Sequence, residues 1–305
     1  MRILITGSNG VVGKEIVNLL SKDKKNELYL LTNKKIKKNK KKIKLFYQDL
    51  TKPINYKFKI DIIIHCAAKN PLSKSGNSSS NIYSSNIKMT RNLIKFSNNN
   101  FVKKIIFLSA MDVYGLISNR VLHENQKPSN PNLYGKSKSL SEQLFCERKN
   151  RFKTICLRIP GAFTSDLTRN RPLIITLLKK ISNNENVYAY NLNKKFNNII
   201  DAYEITKFIK LILRKKIQSK IYNFSASKPI KFIEVIKLMK KIFKSKSSII
   251  KKNSGKNSFI ISNKKIRNDL GIKISTTKKI ITRGCKNILL KSSIQSKILI
   301  RDVKA

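Results

Sequence analysis

The chain has 305 residues, of which 40% are apolar, and 66 Lys and Arg stand against 16 Asp and Glu, a net charge of +50. This apolar fraction can bury the core of one large domain or two modest ones, which excludes disorder over the whole length. The charge raises the alternative of nucleic-acid binding. However, the basic residues run along the whole chain instead of gathering in one arm, so we interpret the excess as compositional.

Cysteine usage and hydropathy indicate the compartment. No CxxC pair is formed by the four widely spaced cysteines, Cys66, Cys146, Cys156 and Cys285. The chain has only two histidines that could join the cysteines in a metal site. The cysteine spacing therefore favours reduced structural thiols in a cytosolic protein. No run of about 18 apolar residues is present, and the apolar N-terminus lacks a cleavage pattern of small residues. The sequence therefore predicts a soluble, cytoplasmic protein without a membrane partner.

Short apolar runs alternate with longer amphipathic segments, the pattern of a parallel sheet with helices on both faces. Strands are predicted at 2–6, 27–32, 44–47, 61–66, 104–109, 153–159 and 220–224. Helices are predicted at 11–21, 78–98, 133–149, 172–182, 202–214, 230–244 and 263–269. The fold class is thus α/β, with a doubly wound parallel sheet and a smaller C-terminal lobe.

The alternation becomes less regular after Pro160-Gly161, which sets the predicted lobe boundary. We expect 1–160 and about 197–225 to form the first lobe. The second lobe is expected to comprise about 161–196 and 226–305 and to bind the substrate.

The first strand runs into Gly7-Ser8-Asn9-Gly10-Val11-Val12-Gly13 and then a helix, the context of a dinucleotide-binding loop. Gly7 suits the tight turn, Gly10 the approach to a pyrophosphate and Gly13 close helix packing, while the helix N-terminus offers free N–H groups. A glycine-rich turn without a ligand is the alternative. We expect Gly7, Asn9, Gly10, Val11 and Gly13 to bind a nucleotide cofactor.

The end of the second strand indicates which cofactor is used. An acid there would accept hydrogen bonds from the ribose 2′-OH of NAD. This strand instead ends in Thr32-Asn33-Lys34-Lys35, with two cations and no acid. Asn33 and Lys34 are therefore expected to favour the 2′-phosphate of NADP(H), with NAD(H) as the alternative. The alternative for Lys34 and Lys35 is that they begin a solvated Lys-rich loop.

Tyr134-Gly135-Lys136-Ser137-Lys138 opens a predicted helix, with Tyr134 and Lys138 on one helical face. A phenol is a poor acid or base at neutral pH unless a nearby cation favours its phenolate. Lys138 can supply that cation and also bind a nicotinamide ribose. For this pentapeptide in isolation, an exposed Tyr and a surface Lys would be the better explanation.

Further short motifs occur along nearly the whole chain. Each is weak by itself, but their order and spacing together are specific. The motifs are Asp49-Leu50, His65-Cys66-Ala67-Ala68, Asn86, Val113-Tyr114-Gly115, Leu157-Arg158-Ile159-Pro160-Gly161, Asn198-Ile199-Ile200-Asp201, Tyr222-Asn223 and Leu270-Gly271. With the glycine loop and the Tyr134/Lys138 pair, they resemble an extended short-chain dehydrogenase/reductase of the NAD-dependent epimerase/dehydratase family. This resemblance implies a Rossmann-like first lobe. It also implies cofactor contacts at Asp49, Leu50, Ala67, Ala68 and Asn86, and a nucleotide-sugar substrate.

Two departures from the family pattern concern the end of the fifth strand. The family places a Ser or Thr there that hydrogen-bonds the reacting substrate oxygen, but this chain has Ala110. Ser109 could take over that catalytic role only if the strand end shifts or bulges. Dehydratases of the family follow the hydroxyl with Asp-Glu as acid and base; Met111-Asp112 stands here, which disfavours a dehydratase.

A third departure concerns phosphate recognition in the small lobe. The family's diphosphate-binding Arg corresponds to Lys194, seven residues before Asp201. Lysine keeps the charge but loses the bidentate fork. Lys194 is thus the expected substrate-binding cation, with Arg169 and Arg171 as companions; surface cations unrelated to substrate are the alternative.

We predict an NAD(P)-dependent reductase or epimerase acting on a nucleotide-activated sugar by hydride transfer. A 4-keto sugar reductase fits the basic pocket slightly better than an epimerase. The rival is a weakly catalytic dinucleotide-binding protein that associates with nucleic acid or another polyanion, and a structural subunit is a weaker third reading. No specific nucleic-acid partner is expected. The oligomeric state stays open, although members of the family often dimerise through helices at about 78–98 and 133–149.

Overall fold

The computed structural model describes residues 1–33, 42–71, 79–164, 173–213, 215–253 and 257–302. The strands in chain order are β1 (Arg2–Thr6), β2 (Glu27–Thr32), β3 (Ile43–Tyr47), β4 (Ile62–His65), β5 (Lys104–Ala110), β6 (Val121–Leu122), β7 (Lys153–Ile159), β8 (Ala162–Phe163), β9 (Val187–Ala189), β10 (Lys195–Phe196), β11 (Ile200–Asp201), β12 (Lys220–Asn223), β13 (Ile230–Lys231), β14 (Ile249–Lys251) and β15 (Ile260–Ile261).

The helices in chain order are α1 (Val11–Leu20), α2 (Ser79–Asn99), α3 (Leu133–Cys146), α4 (Leu173–Ser182), α5 (Ala202–Leu213), α6 (Phe232–Phe243), α7 (Lys264–Leu270) and α8 (Thr277–Asp302). A short 3-10 helix, Met111–Tyr114, follows β5 directly. Within the described ranges, no helix combines the length and the apolar composition that crossing a membrane requires.

The main sheet has seven strands in the order β12-β7-β5-β4-β1-β2-β3, and every neighbouring pair is parallel. The chain winds outward from β1 through β2 and β3, then returns to β4 and winds the other way. This confirms the predicted doubly wound fold. Its switch point lies between β1 and β4, where folds of this class bind ligands at the carboxyl ends of the strands.

The central strands are apolar along their length because both faces of the sheet are covered. Ile3, Leu4 and Ile5 of β1 are fully buried, and so are Ile63 and Ile64 of β4. The seven predicted strands all occur, with ends shifted by at most two residues. Continuous apolar runs thus predict the buried parallel strands well.

Helices α3 and α8 differ most from the prediction. Helix α3 ends at Cys146 instead of 149 because the Asn150 side chain donates to the carbonyls of Leu144 (2.8 Å) and Phe145 (3.2 Å), which closes the helix end. No helix was predicted over the residues of α8. Its buried residues Ile280, Ile281 and Ile288 have helical spacing, but lysines and polar residues between them obscure the pattern.

The described residues divide into two compact units. The first comprises Met1–Ile117, His123–Ile159 and Ala202–Phe224 and contains the main sheet. The second comprises Ser118–Leu122, Pro160–Asp201 and Ser225–Ala305 and contains short two-stranded pairings such as β9 with β14. Pairing of β6 with β15 explains why Ser118–Leu122 belongs to the second unit.

Candidate active site

The glycine loop is compressed against the backbone that follows β4. Gly7 has φ +67°, and a Cβ there would lie 2.6 Å from the Ala67 nitrogen. At Gly13 a Cβ would lie 2.2 Å from the Gly7 carbonyl oxygen, which itself accepts from the Gly10 N–H at 2.9 Å. Only glycine fits at positions 7 and 13, so the loop lies directly on the switch point of the sheet.

Helix α1 starts at Val11, immediately after this loop, and its N-terminus is suited to an anion. Its first turn contains no acidic residue, and no side chain caps it. The first N–H groups of a helix lack intrahelical acceptors and carry the positive end of the helix dipole. Ser8, only 4% exposed, has an Oγ without a hydrogen-bond partner among the described residues. These features fit the pyrophosphate of a dinucleotide.

Asn9 and Asn33 lie at the end of β2, where the adenosine ribose is expected. The Asn9 side-chain amide donates to Thr32 Oγ1, and Asn33 is exposed. Lys34 and Lys35 lie outside the described residues.

Asp49, Leu50, Ala67 and Ala68 follow β3 and β4. The exposed Asp49 carboxylate accepts from the Thr51 N–H (2.9 Å) and hydroxyl (2.8 Å). These bonds, the backbone one first, lower the pKa of Asp49. Leu50 is buried in the core, and Ala67 packs against the same cluster. Ala68 is half-buried, in the same post-strand segment.

His65 is a packed residue, as the sequence analysis expected. Its Nδ1 lies 2.7 Å from Thr6 Oγ1, and its ring stacks on Phe107 with centroids 5.4 Å apart. Burial, with a smaller contribution from the charge of Lys138, lowers the pKa of His65 to about 3. The imidazole is therefore neutral at physiological pH.

Asn86 of α2 connects three segments around the site. Its Oδ1 accepts from the Lys69 N–H at 2.9 Å, and its Nδ2 donates to the Lys69 carbonyl at 3.0 Å and to Ser137 Oγ at 2.9 Å. Ser137 in turn donates to the Tyr134 carbonyl at 2.7 Å. Asn86 thus joins α2 to the segment after β4 and to α3, and the cofactor contact predicted for it stays a prediction.

Close contact with the 3-10 helix positions the start of α3. Asn132 Oδ1 accepts from the Gly135 N–H at 2.8 Å and caps the helix. A Cβ at Gly135 would lie 2.1 Å from the Asp112 carbonyl oxygen. Tyr134 and Lys138 are thereby held beside the carboxyl end of β5. The sequence analysis named neither Asn132 nor the tight packing at Gly135, although Asn before a helix is a recognised capping signal.

Lys138 is only 4% exposed and bonds to the end of β5. Its ammonium donates to the Leu108 carbonyl at 2.8 Å and lies 4.5 Å from the centre of the Phe107 ring and 5.8 Å from that of Tyr134. Burial lowers the pKa of Lys138 to about 8, while the nearby Cys66 and Glu142 act in the opposite direction. Lys138 therefore remains mostly charged at neutral pH.

The pKa of Tyr134 does not follow the sequence prediction. Lys138 was expected to lower it, but burial and, secondarily, the Asp112 carboxylate raise the pKa of Tyr134 above its usual value. The Lys138 ammonium is engaged by the Leu108 carbonyl instead of the phenol. In this structure Tyr134 is consequently a protonated phenol at neutral pH.

Strand β5 pairs regularly with β7 through its last residues, Ser109 opposite Arg158 and Ala110 opposite Ile159. The shift or bulge that would let Ser109 replace the hydroxyl missing at Ala110 does not occur. Successive side chains of a strand point to opposite faces, so Ser109 faces away from the side on which Ala110 lies. Ser109 is 2% exposed, and its Oγ has no hydrogen-bond partner among the described residues.

The second unit contains a cavity of about 610 Å³. Lys194 lines it and is exposed. Aromatic rings make up much of the remaining wall: Tyr188, Tyr190, Phe196, Phe232 and Phe259. Asn198 also lines the cavity, with a buried Oδ1 that has no partner among the described residues. The sequence analysis did not identify these aromatic residues, and Arg169 and Arg171 lie outside the described residues.

Comparison with known proteins gives a consistent result. The model of the NAD dependent epimerase/dehydratase family matches residues 3–224. The dTDP-D-glucose 4,6-dehydratase of Dictyostelium discoideum is 26% identical over 266 residues, covering 77% of this chain and 61% of the relative. The chain spans 43% to 61% of the length of the curated relatives it matches.

Solved structures share the fold at low sequence identity. The UDP-glucose 4-epimerase of Thermotoga maritima, crystallised with UDP-glucose, superposes with a TM-score of 0.78 at 18% identity, covering 96% of this chain and 99% of that one. RMD of Pseudomonas aeruginosa, complexed with NADPH, has a TM-score of 0.74 at 18% identity, covering 94% and 98%.

Proposed function

Because the chain belongs to the NAD dependent epimerase/dehydratase family, we propose that it transfers hydride between a nicotinamide dinucleotide and a nucleotide-activated sugar. The observation that carries this proposal is the placement of Tyr134 and Lys138. Both lie beside the carboxyl end of β5, in the unit whose glycine loop is built for a pyrophosphate.

The residues present fit a dinucleotide. Gly7, Gly10 and Gly13 would let the loop backbone approach the pyrophosphate, and the N–H groups at the start of α1, beginning with Val11, would bind it. Asn9 and Asn33 would face the adenosine ribose. Asp49, Leu50, Ala67 and Ala68 would line the adenine side. When bound, the nicotinamide supplies or accepts the hydride.

Tyr134 handles the proton in this mechanism. The phenol carries a proton at neutral pH and can donate it to a sugar carbonyl oxygen, although burial raises its pKa and makes it a weaker acid until substrate and cofactor bind. The charged Lys138 would bind the nicotinamide ribose. We favour a 4-keto sugar reductase over an epimerase because the segment after β2 offers Asn33, Lys34 and Lys35 to a 2′-phosphate, where an NAD-selective site would have an acid. Met111-Asp112 supplies no acid–base pair for water elimination, which disfavours a dehydratase despite the similarity to a dehydratase relative.

The second unit would bind the sugar nucleotide. Lys194 at the aromatic-lined cavity can neutralise a diphosphate, and Arg169 and Arg171 are its proposed companions. Aromatic faces offer stacking surfaces for a nucleobase.

We also propose that the protein acts in the cytoplasm and that α2 and α3 provide a homodimer interface. The family match gives no support to the rival polyanion-binding function.

The decisive experiment compares the wild type with Tyr134→Phe in NADPH oxidation by a panel of nucleoside-diphosphate 4-keto sugars. Removing the phenol proton should reduce kcat by about 10²–10⁴-fold while cofactor affinity is kept. Tyr47→Phe, which removes an exposed hydroxyl from β3, is the matched control and should behave as wild type. Full turnover by Tyr134→Phe would refute the assignment.

Cofactor choice is tested separately, by fluorescence titration. We propose that NADPH binds more tightly than NADH, since no acid stands after β2 to accept the ribose 2′-OH. The double variant Lys34→Glu, Lys35→Glu should shift the preference toward NADH. Tighter binding of NADH by the wild type would contradict the NADP(H) proposal and leave the family assignment intact.

A further inference from the structure

Two cysteines of the first unit lie close together at the end of α3. Cys146 is the last residue of that helix, Cys156 lies in the middle of β7, and their sulfur atoms are 3.9 Å apart. Both are free thiols in the structure. A disulfide has a sulfur separation of about 2.05 Å, so the two sulfur atoms must approach each other by a little under 2 Å to form one.

Independent hydrogen bonds hold the two cysteines in register. The Thr154 hydroxyl donates to the Phe145 carbonyl at 3.0 Å, which ties β7 to the helix end. The Asn150 side chain donates to the Leu144 carbonyl at 2.8 Å, which anchors the connecting loop. The proximity of the thiols is therefore built into the junction between α3 and β7.

The two thiols differ in burial and in pKa. Cys146 is half-buried, whereas Cys156 is fully buried. The hydrogen bond from Cys156 lowers the pKa of Cys146, and burial raises the pKa of Cys156. The other two cysteines are not activated in this way: burial raises the pKa of Cys66 and of Cys285 to about 12. A thiolate at an accessible position is the reactive form of cysteine.

We propose that Cys146 is a site of oxidation by hydrogen peroxide or another hydroperoxide, and that Cys156 resolves the oxidised sulfur into a reversible disulfide. The Cys146 thiolate attacks the peroxide, forming a sulfenic acid as the O–O bond breaks and one water is released. Cys156 then attacks the sulfenic sulfur, forming the S–S bond and releasing a second water. The two thiols lose two electrons, and the peroxide is reduced to two waters.

The test treats the full-length protein with hydrogen peroxide and maps its cysteines by peptide mass spectrometry. A cross-linked peptide joining Cys146 to Cys156, removed by dithiothreitol, is expected. A sulfinic or sulfonic acid at Cys146 without any cross-linked peptide, or a cross-link to Cys66, would overturn the proposal. Because the readout is chemical, it does not depend on the sugar-modifying activity.

Variants separate the two roles. Cys146→Ser should slow peroxide-dependent thiol loss by about tenfold or more, because the less buried thiol, the proposed nucleophile, is gone. Cys156→Ala should leave a sulfenic acid on Cys146 that dimedone traps, and Cys285→Ala is the matched control that keeps the cross-link. If Cys156→Ala fails to fold, Cys146→Ser alone decides: unchanged thiol loss in that variant contradicts the proposal.

Discussion

At the scale of single residues, the end of β5 is unusual because Ala110 stands where relatives are expected to place a hydroxyl. We predict that Ala110→Ser raises kcat about tenfold, since a hydrogen bond to the reacting oxygen contributes about 1 kcal/mol or more. Ser109→Ala should change kcat by less than about twofold, because Ser109 points to the opposite face of a regular strand. Steady-state kinetics on the same substrate decides, and a large loss in Ser109→Ala would reverse the assignment.

Lys138 illustrates a conflict between function and stability. Burial holds its pKa at about 8 against an ordinary 10.5, so the folded state is penalised for keeping the charge at neutral pH. We predict that Lys138→Met raises the free energy of unfolding at pH 7 by about 1–2 kcal/mol, after the lost bond to Leu108 is deducted. The same variant should lose cofactor affinity and turnover.

The pH dependence provides the check on this prediction. Between about pH 8 and 10.5 the unfolded chain binds a proton at Lys138 that the folded chain does not, so this residue makes wild-type stability rise with pH. The advantage of Lys138→Met should therefore shrink as pH increases through that window. Urea unfolding at several pH values measures it, and a constant or growing difference would show that Lys138 is not the cause.

At the scale of secondary-structure elements, the close approach of α3 to the 3-10 helix places the reactive side chains. Gly135→Ala puts a methyl group 2.1 Å from the Asp112 carbonyl, so the helix start must move. We predict a loss of about 1–3 kcal/mol in stability, despite the better helix propensity of alanine, together with reduced kcat. Lys136→Ala, an exposed neighbour in the same turn, is the control. Urea unfolding and kinetics that matched wild type in Gly135→Ala would contradict this account.

At the scale of the whole molecule, we interpret the charge of +50 as compositional and predict that it makes no specific nucleic-acid site. A protein with 6–10 phosphate contacts loses about 10³–10⁵-fold in affinity between 50 and 200 mM salt. Dispersed lysines should give only weak, sequence-indifferent binding at low salt that is negligible at physiological ionic strength. NADPH affinity should be far less sensitive to salt.

Titrations of a labelled duplex and of NADPH at two ionic strengths test this prediction. Neither duplex nor single-stranded nucleic acid should compete with a nucleotide sugar at physiological salt. Submicromolar nucleic-acid binding under those conditions, with no activity on any nucleotide sugar, would restore the rival function.

The sequence by itself determined the parallel sheet, the glycine loop and the Tyr134/Lys138 pair. Continuous apolar runs, glycine spacing and helical periodicity are local properties that depend on near neighbours in the chain. The predicted ends of β1, β2 and β7 match the structure.

Only the tertiary structure decided how the site residues behave. The regular pairing of β5 with β7 turned Ser109 away from the position of Ala110, and burial reversed the expected shift in the pKa of Tyr134. The bonds of Asn86 to Lys69 and Ser137 join residues far apart in sequence. Desolvation, strand register and long-range hydrogen bonds arise from segments that meet only when the chain folds, so no local pattern records them.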